Sequence, residues 1–121
     1  MNYSIYRISL DIHDISAPIA LTLKSEDTCR RIVATLSEKG QPYEISGDCF
    51  AQFVAQLPNG SIIVDDCMVS DNKLTYDMTA SVSAFAGTVK CEFMLEDSAG
   101  HKLTTPRFML AVDKSIGGER A

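Results

Sequence analysis

The clearest feature of the sequence is an alternation of apolar and polar residues with a period of two. Such alternation is typical of β-strands that bury one face and expose the other. Phe53 and Ala55, for example, share one face of a strand, opposite Gln52 and Gln56. The pattern occurs in six segments, at 7–12, 19–24, 49–57, 73–78, 89–96 and 107–112.

Turn-forming residues separate these segments. Pro58-Asn59-Gly60 precedes Ile62-Ile63-Val64 and predicts a hairpin, as does Asp97-Ser98-Ala99-Gly100. Pro106 interrupts the last segment, so the first half of that strand is predicted to be an edge or a bulge. The segment 79–87 predicts one short helical turn that crosses between sheets, with Val82 or Phe85 closing an end of the core. Turns at this spacing favour a sandwich or barrel.

The segment 25–40 fits two structures. A helix is favoured by Ser25 at its start and Gly40 after its end. It is also favoured by the helical spacing of Cys29, Ile32, Val33 and Leu36. A strand would instead bury Ile32, Ala34 and Leu36. The local pattern favours the helix slightly, and the resemblance described below favours the strand.

Composition excludes several classes of function. The 121 residues fit one domain, and a net charge of −5 argues against non-specific nucleic-acid binding, which needs clustered Lys and Arg. No apolar run approaches the length of a transmembrane helix, so membrane insertion is not expected. The first residues lack the basic and apolar regions of a signal peptide, so the chain is expected to stay in the cytoplasm until it is used.

Candidate chemistry is sparse. Asp11, His13 and Asp14 could suit a metal or an acid–base pair, but a solvated strand end explains them better. The two His and four Cys show no close ligand pair, and no G-x-S-x-G motif or Gly-rich phosphate loop is present. The sequence therefore predicts no enzyme, no catalytic residue, no metal and no cofactor.

The cysteines are expected to be free thiols, because without a signal peptide the chain is predicted to fold in a reducing compartment. They stand at 29, 49, 67 and 91. Cys91 falls on a core-facing strand position, where a thiol behaves as a small hydrophobic side chain.

Ordered landmarks run through nearly the whole chain, from about 5 to 112. They are Ile8-Ser9-Leu10-Asp11-Ile12, Asp27 and Arg30, Gly40-Gln41-Pro42-Tyr43, Leu57-Pro58-Asn59-Gly60, Leu74-Thr75-Tyr76-Asp77-Met78, Ala84-Phe85-Ala86-Gly87 and Gly100-His101-Lys102 through Pro106-Arg107-Phe108. In order and spacing they resemble the N-terminal domain of phage baseplate upper proteins of the BppU type.

The resemblance implies an immunoglobulin-like antiparallel β-sandwich over 1–113, followed by a tail at 114–121 where a linker or stalk would start. It implies a structural adaptor that docks the arm carrying receptor-binding proteins onto the tail hub. The implied partners are the distal tail hub protein and other baseplate subunits, with homo-oligomers in the full assembly. The implied location is the host cytoplasm during assembly and then the virion tail baseplate.

The resemblance implies no particular interface residues, so the partner-binding residues are unknown from the sequence. Val54 points outward between Gln52 and Gln56 and could belong to an apolar patch. The Pro106 region is a candidate edge at which a strand of a partner protein could pair.

The alternative function is a carbohydrate-binding β-sandwich module. Such modules present flat aromatic surfaces to sugars. The chain has no Trp, and Tyr3, Tyr6 and Tyr43 are the tyrosines expected at the surface.

Overall fold

A computed structural model describes residues 2–24 and 29–114. The described residues form ten β-strands and no helix. The strands are β1 (Ser4–Asp11), β2 (Ser16–Lys24), β3 (Arg30–Glu38), β4 (Gln41–Pro42), β5 (Phe50–Gln56), β6 (Ile62–Ser70), β7 (Lys73–Asp77), β8 (Gly87–Glu96), β9 (Lys102–Thr104) and β10 (Arg107–Asp113). The prediction of an all-β domain is confirmed.

The strands pair in the order β1-β3-β7-β6-β5-β8-β10-β2, with β4 beside β3 and β9 beside β8. Strand β6 joins the two halves, because it pairs with β5 over 62–67 and with β7 over 68–70. At the two ends of the order, the Tyr6 hydroxyl on β1 donates to the Thr22 carbonyl on β2 at 3.2 Å. The sheet is therefore nearly barrel-shaped.

The predicted antiparallel pairing holds for the other strand pairs but not for β1 with β3 and β2 with β10, which are parallel. The physical reason lies in the connections. Strands β1 and β2 are consecutive but lie at opposite ends of the strand order, so the chain crosses from one half to the other between them. Each of these two strands then pairs with a strand that is distant in the sequence and parallel to it.

The buried side chains are those that the alternation places inward. Phe53 lies at the centre of the core, with its ring stacked on Tyr76 at 4.0 Å between centroids. Phe93 and Phe108 complete the cluster at 5.5 and 6.4 Å from Phe53. Aliphatic residues from both halves, such as Leu36, surround these rings. The core is thus filled by aromatic and aliphatic side chains alternating along the strands.

The segment that fitted both helix and strand forms strand β3 over Arg30–Glu38. Ile32, Ala34 and Leu36 are fully buried, as the strand prediction required. Lys39 and Gly40 both have positive φ, at 51° and 82°, so they form a turn into β4 and not the end of a helix. Ser25–Thr28, the start of the predicted helix, lies outside the described residues, as does nearly all of the predicted tail at 114–121.

Within the segment 79–87, residues 80–86 form turns and bends without a helix, and Gly87 begins β8. The Val82 amide donates to the Thr79 carbonyl at 3.2 Å, which closes a single turn. Val82 is fully buried and packs in the core, whereas Phe85 is half-exposed. Of the two residues predicted to close the end of the core, Val82 has that position.

The Pro106 region is not a free edge, and that prediction was wrong. Pro106 is buried, and β10 pairs with β8 on one side and β2 on the other. Thr105 fills the gap between β9 and β10, because its amide donates to the Phe93 carbonyl and its hydroxyl accepts the Phe93 amide, both at 2.9 Å. The register with β2 shifts between Arg107 and Met109, so the predicted bulge is confirmed.

Gly87, at the start of β8, cannot be replaced without strain. Its φ is +131°, and a Cβ added there would lie 2.9 Å from Cγ of Pro58. We expect Gly87→Ala to lower the free energy of unfolding by about 1–3 kcal/mol, as measured by urea denaturation. Gly47→Ala is the matched control, since an added Cβ there would meet no atom within 4 Å. Equal losses in the two variants would contradict this explanation.

The loop at 43–49 is fastened to the turn after β8. The Asp48 carboxylate accepts the Ser98 amide at 3.1 Å and the Ser98 hydroxyl at 2.5 Å. Hydrogen bonds from the hydroxyls of Ser98 and Ser46 and from the Ser98 amide lower the pKa of Asp48 to about 2. The loop and the hairpin formed by β8 and β9 are therefore held together by a carboxylate that stays ionised.

This carboxylate predicts a specific acid sensitivity. Because its pKa is lower in the folded chain than in the unfolded chain, its contribution is complete above about pH 4 and is lost as the pH falls toward about 2. The melting temperature is expected to fall between pH 5 and pH 2, and part of this fall comes from protonation of Asp48. We expect that part to be absent in Asp48→Asn. Identical pH profiles for the variant and the wild type would contradict this role.

Candidate docking surface

Strand β6 has one half-covered face and one exposed face. Its residues alternate strictly, and the outward positions are 62, 64, 66, 68 and 70. Three of these carry large apolar side chains: Ile62 is 57% exposed, Val64 is 51% exposed and Met68 is 59% exposed. A row of half-exposed aliphatic side chains along one strand is costly in water and is typical of an interaction surface.

Strand β5 extends this row sideways. Val54 on β5 lies directly opposite Val64 on β6 and therefore points to the same side of the sheet. Phe50, also outward on β5, is 50% exposed. These five residues, Phe50, Val54, Ile62, Val64 and Met68, are called the β5–β6 face below.

Polar and charged residues border the β5–β6 face. Its own strands add the polar pair Gln52 and Asp66, which lie opposite each other, and Gln56 opposite Ile62. The neighbouring strand β8 contributes Glu92 opposite Val54. A shallow depression of about 170 Å³ lies at one end of the face and is lined by Val54, Gln56, Ile62, Lys90, Cys91, Glu92 and Arg107. An apolar centre with a polar border is the arrangement of protein–protein interfaces.

The inner side of β6 holds the face in position. Asp65 points inward, and its carboxylate accepts a hydrogen bond from the Tyr76 hydroxyl and, at 3.4 Å, one from the Thr79 hydroxyl. Burial of Tyr76, together with this carboxylate, raises the pKa of its hydroxyl, which therefore remains a donor. The middle of β6 is thus anchored where the strand passes from β5 to β7.

Sequence reasoning found only part of this surface. Val54 was predicted to point outward and was a candidate member of an apolar patch, and it does lie on the β5–β6 face. The remainder was missed because Asp65 and Asp66 interrupt the apolar run after Val64, so that Met68 was not assigned to a strand. The strict alternation of Ile62, Val64 and Met68 at even positions was the signal that could have revealed it.

The acidic and histidine residues near the end of β1 serve the structure. Asp11 accepts the amides of His13 at 3.0 Å and Gly40 at 3.2 Å, and these backbone bonds lower its pKa. His13 Nε2 lies 3.2 Å from Glu38, and Asp14 is exposed in the turn. The interpretation as a solvated strand end is confirmed.

The four cysteines are all free. Cys91 is fully buried, as predicted, and burial raises the pKa of its thiol. Burial likewise raises the pKa of Cys67 to about 12. Within 2–24 and 29–114, no three His, Cys, Asp or Glu residues cluster in a way that could hold a metal ion. The same residues include no helix that is long and apolar enough to cross a membrane.

The three tyrosines expected at the surface lie in different places. Tyr3 is 43% exposed, and the Arg31 guanidinium lies over its ring at 4.5 Å. Arg31 also pairs with Asp77 through two hydrogen bonds. Tyr6 is half-buried at the junction of β1 and β2, and Tyr43 lines a cleft beside the β8–β9 hairpin. They form no shared aromatic platform.

The family model for the BppU N-terminal domain matches residues 4–120. This chain belongs to that family. The domain is part of a phage baseplate protein, so its role is structural, its partners are proteins of that assembly and its location is the virion tail baseplate.

One solved structure agrees with the fold. The N-terminal domain of phage TP901-1 ORF48 is similar, with a TM-score of 0.70 and 18% identity over 91% of this chain and 98% of that chain. CopC from Methylosinus trichosporium OB3b has a TM-score of 0.47 and 13% identity over 78% of this chain and 84% of that chain. No curated protein matches the sequence. The family match and the similarity to the TP901-1 ORF48 domain confirm the resemblance to BppU-type domains.

Proposed function

We propose that this BppU N-terminal domain is the adaptor that docks a baseplate arm, with its receptor-binding proteins, onto the tail hub. The docking surface is the β5–β6 face, and the partner is the distal tail protein of the hub. Assembly takes place in the host cytoplasm, where several copies and other baseplate subunits join the same complex. The observation that carries the proposal is the row of half-exposed Ile62, Val64 and Met68 along β6.

The composition of the face supports docking on a protein. Its five members are aliphatic or aromatic, so a complementary protein surface that also pairs Asp66 and Glu92 can remove them from water. Non-polar burial of this kind is the main favourable contribution to protein association. The hydrogen bond between Asp65 on β6 and Tyr76 on β7 fixes the middle of β6 before the partner binds.

The rigidity of the domain also supports an adaptor role. The core contains four packed aromatic rings, and the two ends of the strand order are tied by the Tyr6–Thr22 hydrogen bond. A rigid face loses little conformational entropy on binding, which favours a defined position of the arm on the hub.

Size-exclusion chromatography with light scattering tests the proposal on the domain, the distal tail protein of the same phage and their mixture. We expect the mixture to elute as a complex with a defined ratio of the two chains at micromolar concentration. Two peaks at the masses of the separate proteins would refute docking by this domain.

A further inference from the structure

A cleft lies between the loop at 43–49 and the β8–β9 hairpin, apart from the β5–β6 face. Its volume is about 260 Å³, and its lining residues are Tyr43, Ile45, Ser46, Cys49, Leu95, Asp97, His101, Lys102 and Leu103. Pockets for drug-sized ligands measure roughly 300–1,000 Å³. The cleft is therefore suited to a smaller group, about the size of one sugar ring.

Both walls of the cleft are fixed by hydrogen bonds. Asp48 on the loop binds the amide and the hydroxyl of Ser98 on the hairpin. Within the hairpin, Asp97 accepts the amides of Ala99 at 3.0 Å and His101 at 2.9 Å. The shape of the cleft is thus set by the folded chain and does not need a ligand to form.

The polar groups of the cleft include donors and acceptors. His101 Nδ1 lies 3.0 Å from Asp97 Oδ2, and an ionised carboxylate only accepts, so Nδ1 carries the proton. In the neutral ring, Nε2 is then left as an acceptor. The Lys102 ammonium provides donors, and the Ser46 oxygen, whose proton is donated to Asp48, is an acceptor.

The charges of the cleft are balanced internally. Asp97 is satisfied by backbone amides and His101, and Lys102 lies 3.7 Å from Glu96. An ionic ligand would therefore have to displace an existing partner. A neutral ligand rich in hydroxyl groups would not.

The remaining lining is apolar and includes one aromatic ring. Leu95 is buried, Leu103 is half-buried, and the partly exposed ring of Tyr43 borders them. The C–H groups on one face of a sugar ring pack against the electron-rich face of an aromatic ring, while the hydroxyl groups at its edge form hydrogen bonds. In this cleft Tyr43 offers the aromatic ring, and Asp97, His101 and Lys102 offer the hydrogen-bonding groups.

We propose that this cleft is a binding site for a single neutral sugar unit of a saccharide, with Tyr43 as the stacking residue and His101 and Lys102 as the hydrogen-bonding residues. This site is independent of the β5–β6 face. It gives the domain a second, low-affinity contact with glycans in addition to its structural role.

Saturation-transfer difference NMR tests the proposal on the full chain with glucose, galactose, N-acetylglucosamine and rhamnose as separate probes at millimolar concentration. We expect at least one probe to receive saturation at its ring C–H protons. Tyr43→Ala should lower that signal at least 5-fold, whereas Tyr43→Phe should keep most of it. Tyr3→Ala is the matched control, since Tyr3 is an exposed tyrosine outside the cleft, and should keep the signal.

Folding is checked independently by the dispersion of the amide spectrum, so a loss caused by unfolding is recognised. The proposal is overturned when no probe receives saturation, when folded Tyr43→Ala keeps the signal, or when Tyr3→Ala loses as much as Tyr43→Ala. It is also overturned when Tyr43→Ala abolishes binding of the distal tail protein without any sugar signal, because the cleft would then be a protein site. Docking through the β5–β6 face is measured separately and does not depend on these results.

Discussion

Replacing Phe53 by Ala is expected to lower the free energy of unfolding by about 3–5 kcal/mol. Phe53 is fully buried and contacts three other aromatic rings, so the substitution removes apolar burial and leaves a cavity that rigid neighbours cannot close. Domains of this size are stable by only about 5–15 kcal/mol, so the loss is a large share of the total. Urea denaturation monitored by tyrosine fluorescence or circular dichroism measures it.

Phe50→Ala is the matched control, three residues away on the same strand. Phe50 points outward and is half-exposed, so its truncation should cost about 1 kcal/mol or less. Comparing the two variants distinguishes the stability lost by disrupting the aromatic core from the stability lost by truncating any phenylalanine in β5. A Phe50→Ala variant as unstable as Phe53→Ala would show that the two faces of β5 are assigned incorrectly.

Val64→Asp is expected to weaken binding to the distal tail protein at least 30-fold. Val64 lies at the centre of the β5–β6 face, opposite Val54, and docking would bury the new carboxylate without a partner. An unpaired buried charge costs about 2–5 kcal/mol at an interface, and about 1.4 kcal/mol corresponds to a tenfold change in affinity. Isothermal titration calorimetry with the distal tail protein measures the effect.

The control for this variant is Ile15→Asp. Ile15 is 94% exposed in the turn between β1 and β2, outside the β5–β6 face, and receives the same change from an aliphatic to an acidic side chain. We expect Ile15→Asp to bind as the wild type does. If both variants bound equally well, or if Ile15→Asp alone lost binding, the docking surface would have to lie elsewhere.

Much of the fold could be predicted from alternation alone. Positions such as Phe53, Phe93 and Leu110 are buried because each strand exposes one face to the core, and a period of two in the sequence reports that directly. The helix-like pattern at 25–40 misled the local interpretation, because Ile32, Val33 and Leu36 suit a helix face. In the fold, Arg30–Glu38 form a strand between β1 and β7, where Val33 is also largely covered.

The parallel pairs could not be predicted in the same way. Pairing of β1 with β3 and of β2 with β10 depends on contacts between segments distant in the sequence, and the alternation within a strand carries no information about its neighbour. The predicted antiparallel pairing failed for this reason at β1 and β2.

The candidate surface was predicted least well, again for a physical reason. Asp65 appears polar in the sequence and suggested a break in the strand, but its carboxylate is paired with the Tyr76 hydroxyl on the inner side. The pair is separated by 11 residues, and its formation depends on how β6 passes between β5 and β7. The structure shows that Met68 continues the outward row of Ile62 and Val64 on the far side of this aspartate.

The central claim, docking through the β5–β6 face, is tested most directly by cross-saturation NMR on the complex. The domain is deuterated and labelled with ¹⁵N, the distal tail protein is protonated, and saturation of the latter is detected at the domain's amides. We predict the largest signal losses at Phe50–Gln56 and Ile62–Ser70, with little change at Ser4–Asp11. Losses centred on Ser4–Asp11 and Arg30–Glu38, with β5 and β6 unaffected, would contradict the account.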